Sequence, residues 1–141
     1  MRTMSRAANA LAVTLYRWSN GRIGGTIRGV PVLLLTVPGR KTGRPHTVPV
    51  LNLEHDGGYL VAGSAGGAKI EPQWFRNLRA ARRAHVQIGG QGFDVDVRVA
   101  DDAERDALWR DVVLTRSPFF AKYQEKAGRA IPVAVLTATT P

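Results

Sequence analysis

The sequence predicts an α+β domain, a small barrel of mostly antiparallel strands with flanking helices. Several short segments are rich in apolar residues or alternate between apolar and polar residues, and turn-forming residues separate them. The helical segments are few and do not alternate regularly with the strands, which disfavours a doubly wound α/β fold. The chain has 141 residues, the length of one domain.

The first segment is predicted to be an amphipathic helix over residues 4–18, which Asn20-Gly21 ends. We expect its apolar stripe to pack on the domain, because such stripes usually do. In a second arrangement the stripe lies on a membrane surface, with Arg2, Arg6 and Arg17 near the lipid phosphates. The stripe consists of Met4, Ala8, Leu11, Leu15 and Trp18.

Strands are predicted to fill most of the remaining chain, so we divide it into an appended helix (1–20) and a barrel domain (21–141). The first three strands form a meander of two hairpins, at residues 30–37, 47–54 and 59–63. Strict alternation from Phe93 to Ala100 predicts a strand with one buried and one wet face. The other predicted elements are helices at 72–81, 101–114 and 117–127, and strands at 84–88 and 131–137.

Positive charge is concentrated in the first part of the chain. Residues 1–83 carry 13 Lys and Arg against 3 Asp and Glu, a net charge of +10, whereas residues 84–141 carry 7 against 8, a net charge of −1. This asymmetry favours an anionic partner. The candidates are nucleic acid, acidic lipid, and a phosphorylated or polycarboxylate small molecule. The alternative is a solvated, arginine-rich surface without a partner.

Several kinds of chemistry are excluded or disfavoured. The chain has no cysteine, which excludes disulfides, thiolate metal sites and cysteine nucleophiles and fits a cytoplasmic location. His46, His55 and His85 are scattered without a metal-binding spacing, so no metal is expected. Ser64 lies in a near match to a nucleophile elbow, but Ala62 replaces its first glycine. The sequence contains no run of about 18 apolar residues, so no transmembrane helix is predicted.

Two loops and one aromatic segment are candidates for ligand binding. The turn at 39–44 holds Arg40, Lys41 and Arg44, and the glycine-rich loop at 64–69 ends in Lys69 just before a helix. Both suit phosphate or carboxylate, although the first turn is equally a solvated hairpin tip. The segment at 117–126 has Phe119, Phe120 and Tyr123 at helical spacing, as a core stripe or as a lid over a flat ring. A planar, polyanionic cofactor needs such a set.

The chain resembles the deazaflavin-dependent nitroreductase family of the flavin-binding split-barrel superfamily, from about Tyr16 to Thr137. The combination of Gly39-Arg40-Lys41-Thr42-Gly43 with Pro72-Gln73-Trp74-Phe75-Arg76-Asn77-Leu78 carries the resemblance most specifically. Further matching stretches are Leu33–Gly43, Thr47-Val48-Pro49-Val50, Ala62–Lys69, Val86–Gly90 and Tyr123-Gln124 with Arg129–Val133.

The resemblance implies a split β-barrel that binds coenzyme F420, a 5-deazaflavin with an anionic phospholactyl-oligoglutamate tail. It implies that the first cationic turn holds the phosphate and tail, through Arg40, Lys41, Thr42 and Arg44. It also implies contacts with the deazaflavin ring and its edge from Val48, Pro49, Val50, Ser64, Ala65, Gly66, Gly67 and Lys69, and a pocket wall of Trp74, Asn77 and Leu78.

The implied reaction is hydride transfer from reduced F420 to a two-electron acceptor such as a quinone, an enone or a nitro-aromatic compound. Tyr123 and Ser64 are the expected catalytic residues, as donors of a proton or hydrogen bond to the acceptor. Nitroreductases of the family carry tyrosines where this chain has Ser117 and Phe120, so we expect inefficient reduction of bulky nitro compounds. Oligomeric state is left open.

Three alternatives stay open at this point. The same fold binds FMN or haem in other branches of the superfamily. A cofactor carrier without turnover would have the same sequence features. A basic barrel that binds single-stranded nucleic acid is disfavoured, because only Phe93 offers an aromatic ring on the alternating strand.

Overall fold

A computed structural model describes residues 6–139, and its centre is a closed antiparallel barrel of six strands. The strands follow one another around the barrel as β2-β3-β4-β7-β6-β5, and pairing of β2 with β5 closes it. Their bounds are β2 Val30–Pro38, β3 Pro45–His55, β4 Gly58–Ala62, β5 Arg83–Ile88, β6 Gln91–Val99 and β7 Val133–Ala138. The predicted α+β barrel and the predicted meander of β2, β3 and β4 are confirmed.

Helices pack against the strands and connect them. Their bounds are α1 Arg6–Ser19, α2 Gln73–Ala80, α3 Asp102–Leu108, α4 Leu114–Arg116 and α5 Phe120–Ala127. Asp101 caps α3, since its Oδ1 accepts from the Glu104 N–H at 2.9 Å. A π turn over Trp109–Val113 joins α3 to α4 and buries Trp109, Val112 and Val113.

Three apolar clusters form the core of residues 6–139, the third of them between α1 and β2. The interior of the barrel holds side chains from the strands together with Phe75 and Leu78 of α2. A second cluster lies between the barrel and the helices, where Trp109, Phe120 and Ile131 are buried. In β6, Val95 is fully buried while Asp94 and Asp96 are exposed, which confirms the predicted wet face.

A short strand that the sequence patterns did not reveal precedes the barrel. β1 (Thr26–Ile27) pairs with the start of β2 through a two-residue turn of Arg28 and Gly29. Both turn residues have positive φ, 52° at Arg28 and 76° at Gly29. Such turns favour glycine or asparagine, so an arginine at the first position is an unusual and strained choice.

The face of α1 that packs on the barrel differs from the predicted one. Val13 and Tyr16 are buried, whereas Leu11 is 60% exposed and Trp18 is 77% exposed; Met4 lies outside the described residues. Val13 and Tyr16 pack on Val32 and Leu34, and Tyr16 Oη donates to the Val32 carbonyl at 2.9 Å and accepts from the Gly89 N–H at 3.0 Å. The buried face therefore combines apolar packing with hydrogen bonds, and the spacing of apolar residues alone does not reveal those hydrogen bonds. The division at residue 20 stays a prediction.

Candidate functional site

Although the strands close into a barrel, part of one edge of β3 is open. Residues 45–51 of β3 pair with β2 along one edge of the strand. Along its opposite edge, β4 pairs only with residues 52–55. β4 continues to Ala62 along β7, after which the chain leaves the barrel. On the side of β3 away from β2, the backbone of residues 48–51 consequently has no strand partner among residues 6–139. Exposed strand edges offer rows of backbone donors and acceptors to a ligand.

The turn between β2 and β3 lies at the end of this open edge, and Asn77 of α2 fixes it. Asn77 is 7% exposed, and its Oδ1 accepts from the Arg40 N–H at 3.1 Å and from Arg40 Nη1 at 2.8 Å. Within the turn, Thr42 Oγ1 accepts from the Arg44 N–H at 3.2 Å. The two bonds from Arg40 hold both its backbone and its guanidinium, so the turn keeps a defined shape without a ligand.

The cations around the open edge lack acidic partners. Arg40, Lys41, Arg44 and Lys69 are exposed, and none of them forms an ion pair with a carboxylate of the described chain. Unpaired cations next to exposed backbone donors create a local positive potential. The edge can therefore attract an anionic ligand.

The loop after β4 contains Ser64 and a single 3-10 turn, Ala65–Gly67. Arg129, which follows α5, holds this loop: its Nη2 donates to the Gly63 carbonyl at 2.9 Å and its Nε to the Ala68 carbonyl at 3.2 Å. Burial lowers the pKa of the Arg129 guanidinium, and the nearby Glu71 carboxylate opposes that shift. Ser64 is 8% exposed, and its hydroxyl bonds to no other described side chain.

Helix α5 packs directly on the same loop. Gly67 has φ +93°, and a Cβ there would lie 3.1 Å from both the Tyr123 carbonyl oxygen and Lys126 Cδ. Only glycine permits this close approach and this backbone conformation. The approach brings Lys126 to the loop, as a further cation beside Lys69.

The aromatic segment divides between core and surface. Phe120 is 4% exposed and belongs to the second core cluster, so for this residue the core interpretation is correct. Phe119 and Tyr123 are half-buried, and their rings meet edge to face with centroids 5.5 Å apart. Two of the three rings thus keep an accessible face.

The remaining predicted ligand residues occupy different surroundings. Val48 and Val50 pack against the barrel interior, and strand alternation turns Pro49 to the opposite face, so only the backbone of these residues shares one edge. Trp74 is half-buried and meets Phe75 edge to face. Leu78 is fully buried in the barrel interior and offers no surface to a ligand. Arg129 and Lys126 are additions that the sequence patterns did not single out.

The fold, together with the sequence stretches that match the family, assigns the chain to the class of split-barrel reductases. A solved structure described as an F420-H2 dependent reductase (FDR-A) is 33% identical, with a TM-score of 0.66 over 75% of this chain and 93% of that chain. A second, described as a domain-swapped dimer, is 29% identical, with a TM-score of 0.67 over 90% of this chain and 94% of that one.

The comparisons with sequences identify the family. The model of the F420H(2)-dependent quinone reductase family matches residues 9–138. An F420H(2)-dependent quinone reductase of Mycobacterium tuberculosis is 35% identical over 126 residues, which cover 87% of this chain and 85% of the relative. The chain therefore belongs to the F420H(2)-dependent quinone reductase family. Membership confirms the expected split barrel, the cofactor F420 and the class of enzyme, an oxidoreductase.

Two further observations concern the described residues alone. No helix within residues 6–139 is long and apolar enough to cross a membrane. In the same part of the chain, no three His, Asp or Glu side chains gather in a metal-binding arrangement.

Proposed function

We propose that this enzyme reduces quinone-type acceptors with F420H2 bound along the open edge of β3. One observation carries the proposal: the unpaired backbone edge lies between two loops whose cations have no acidic partners in the described chain. A flat ring with an anionic tail matches this arrangement, because the edge offers hydrogen bonds and the loops offer positive charge.

The chain's own residues divide the work of holding the cofactor. Arg40, Lys41 and Arg44 bind the phosphate and the carboxylates of the tail, and Thr42 shapes the turn by bonding the Arg44 N–H. Asn77 acts through Arg40, to which it is bonded twice. The backbone of Val48, Pro49 and Val50 faces the ring edge, and Trp74 of α2 forms part of the wall of the site.

The loop after β4 supplies the groups at the reacting end. Backbone N–H groups of Ala65, Gly66 and Gly67, with the Lys69 ammonium, bind the polar edge of the cofactor. When bound, the reduced deazaflavin supplies a hydride. The Ser64 hydroxyl, which has no partner among the described side chains, donates a hydrogen bond to the acceptor oxygen, and Tyr123 supplies the proton.

The test is a titration with oxidised F420, followed by cofactor fluorescence, with FMN in parallel. We expect saturable binding of F420, a dissociation constant raised about tenfold in Arg40→Ala and in Lys41→Ala, and no binding of FMN. Turnover of menadione with F420H2 then separates an enzyme from a carrier. Binding of FMN in place of F420, or binding without turnover, would contradict the proposal.

We further propose a peripheral membrane contact through the outward face of α1. Leu11 and Trp18 are exposed there, and the exposed Arg6, Arg17 and Arg22 lie on or next to the helix. Apolar side chains flanked by arginines suit the surface of an anionic bilayer. Cosedimentation with vesicles of phosphatidylglycerol should fall in a Leu11→Ser/Trp18→Ser variant and persist in Ile70→Ser, which removes an equally exposed apolar residue elsewhere. Equal sedimentation of all three proteins would contradict the contact.

A further inference from the structure

A cavity separate from the open edge of β3 lies between the β1–β2 turn and the chain that leads into α5. Its volume is about 220 Å³. Arg28 and Gly29 of the turn form one wall, and Ser117, Pro118 and Phe119 form the facing one; Val30, Pro31, Leu53 and Arg116 complete the lining. The reaction proposed above does not use this space.

The charge in this cavity is one-sided. Arg28 and Arg116 both line it, no acidic side chain does, and neither arginine forms an ion pair within residues 6–139. Arg116 Nη1 donates to the Glu54 backbone carbonyl, which orients the guanidinium and leaves its charge uncompensated. Two uncompensated guanidinium groups around one concave surface raise its positive potential and favour an anionic occupant.

A buried hydroxyl without a partner belongs to the same wall. Ser117 is 2% exposed, and its Oγ has no hydrogen-bond partner among the described residues. A buried polar atom without a partner is costly, and an oxygen-rich ligand in the adjoining cavity would satisfy it. The hydroxyl therefore points to a polar occupant, independently of the arginines.

Arg28 connects the cavity with the reacting end of the candidate site. Its guanidinium carbon lies 5.2 Å from the centroid of the Phe119 ring and 5.8 Å from that of the Tyr123 ring. The residue adopts a left-handed backbone conformation, φ 52°, that arginine rarely takes. This strain keeps a cation over the two accessible aromatic faces, and strain of this kind is often found at ligand sites.

We propose that this cavity binds an ionised oxyacid substituent of the acceptor, a carboxylate, sulfonate or phosphate, while the acceptor's ring lies against Phe119 and Tyr123. The inference rests on the proposed function, since it assigns a substrate class to the same enzyme. Arg28 and Arg116 are then specificity-determining residues: they select acidic aromatic acceptors over neutral ones.

The experiment compares two acceptors, 1,4-naphthoquinone-2-sulfonate and neutral menadione. Arg28→Asn removes one cation and keeps a residue that tolerates the left-handed turn. Arg116→Gln removes the other, and Arg110→Gln is the control, because it removes an exposed charge from the same helical region outside the cavity. We measure KM with F420H2, and by calorimetry the dissociation constant of the sulfonate without cofactor.

We expect each cavity variant to raise both constants for the sulfonate about tenfold and to change the KM of menadione less than about twofold. Arg110→Gln should leave all three values unchanged. Unchanged sulfonate binding in both cavity variants, an equal loss in Arg110→Gln, or displacement of the sulfonate by equimolar inorganic phosphate would overturn the proposal.

The outcomes also separate this proposal from the proposed function. If wild-type protein fails to bind F420 or to reduce menadione, the proposed function fails and the calorimetric comparison still decides what the cavity binds. If Arg28→Asn does not fold, Arg116→Gln, which lies outside the strained turn, carries the test alone.

Discussion

Charged residues behave differently in two regions of this molecule. Around β5, β6 and α3, cations are matched by neighbouring carboxylates, in the pairs Arg83–Asp96, Arg98–Glu104, Arg105–Asp106 and Arg110–Asp111. Around the open edge of β3, the cations of the turn at 39–44 and Lys69 have no such partners in the described chain. Paired charges largely cancel at a distance, whereas unpaired ones create a field that a ligand can use.

This difference gives a structural meaning to the charge asymmetry of the sequence. The net charge of +10 in residues 1–83 is not an evenly solvated surface, because part of it collects at one edge beside unpaired backbone. Within the nearly neutral remainder, residues 84–141, neighbouring carboxylates pair with Arg98, Arg105 and Arg110. We therefore expect the removal of arginines around the open edge to weaken F420 binding more than the removal of arginines from the paired region.

The largest effect is expected from removing two unpaired arginines together. Arg40→Gln/Arg44→Gln should raise the dissociation constant of F420 about a hundredfold, at roughly tenfold for each lost charge-assisted contact. Arg83→Gln/Arg98→Gln removes the same charge from the paired region and should change the constant less than about twofold. An equal loss of F420 affinity in the two double variants would mean that only the net charge of the protein matters, and not the position of the arginines.

A smaller effect is expected from Asn77, which holds the unpaired turn in shape. Asn77→Ala should raise the dissociation constant of F420 about tenfold and lower the free energy of unfolding by about 1–3 kcal/mol, because two donors of Arg40 lose their acceptor. Asn52→Ala is the matched control, since Asn52 is as buried and donates to the Pro31 carbonyl at 3.2 Å. In urea unfolding, Asn52→Ala should lose a similar free energy of unfolding, and its affinity for F420 should not change. A loss of affinity in both variants would mean that the lower affinity follows from lower stability and not from the shape of the turn.

The smallest effect is expected within the paired region. Glu104→Gln leaves Arg98 without its carboxylate, yet the free energy of unfolding should fall by no more than about 1 kcal/mol, because exposed ion pairs contribute little. The affinity for F420 should not change, since the new unpaired cation lies away from the open edge. A gain in affinity of severalfold would show that position matters less than charge.

Much of the barrel could be predicted because its strands are short apolar or alternating runs between turn residues. The run from Val30 to Val37 and the alternation from Phe93 to Val99 both correspond to strands of the barrel. β1 could not be predicted, because two residues carry no periodicity. The buried face of α1 was predicted wrongly, because Val13 and Tyr16 hold the helix on the barrel through apolar packing and the hydrogen bonds of Tyr16, while Leu11 and Trp18 stay exposed.

The site was predictable in outline and less so in its connections. The cationic turn and the loop at 64–69 have local signatures in charge and glycine content. The bonds from Arg40 to Asn77 and from Arg129 to the loop join residues 37 and 66 positions apart, and no local pattern encodes them. Arg28 gives no signal in the sequence either, because its strain and its ring contacts exist only in the folded chain.

The most direct test of the central claim compares F420 with its 5-deazaflavin lacking the phosphate and the glutamates. If the unpaired cations hold the anionic tail, wild-type protein should bind F420 at least about a hundredfold more tightly than the tail-free form. Arg40→Gln/Arg44→Gln should lose most of that preference while its weak affinity for the tail-free form stays the same. Equal affinity of wild-type protein for both compounds, or an equal loss for both in the variant, would contradict the claim.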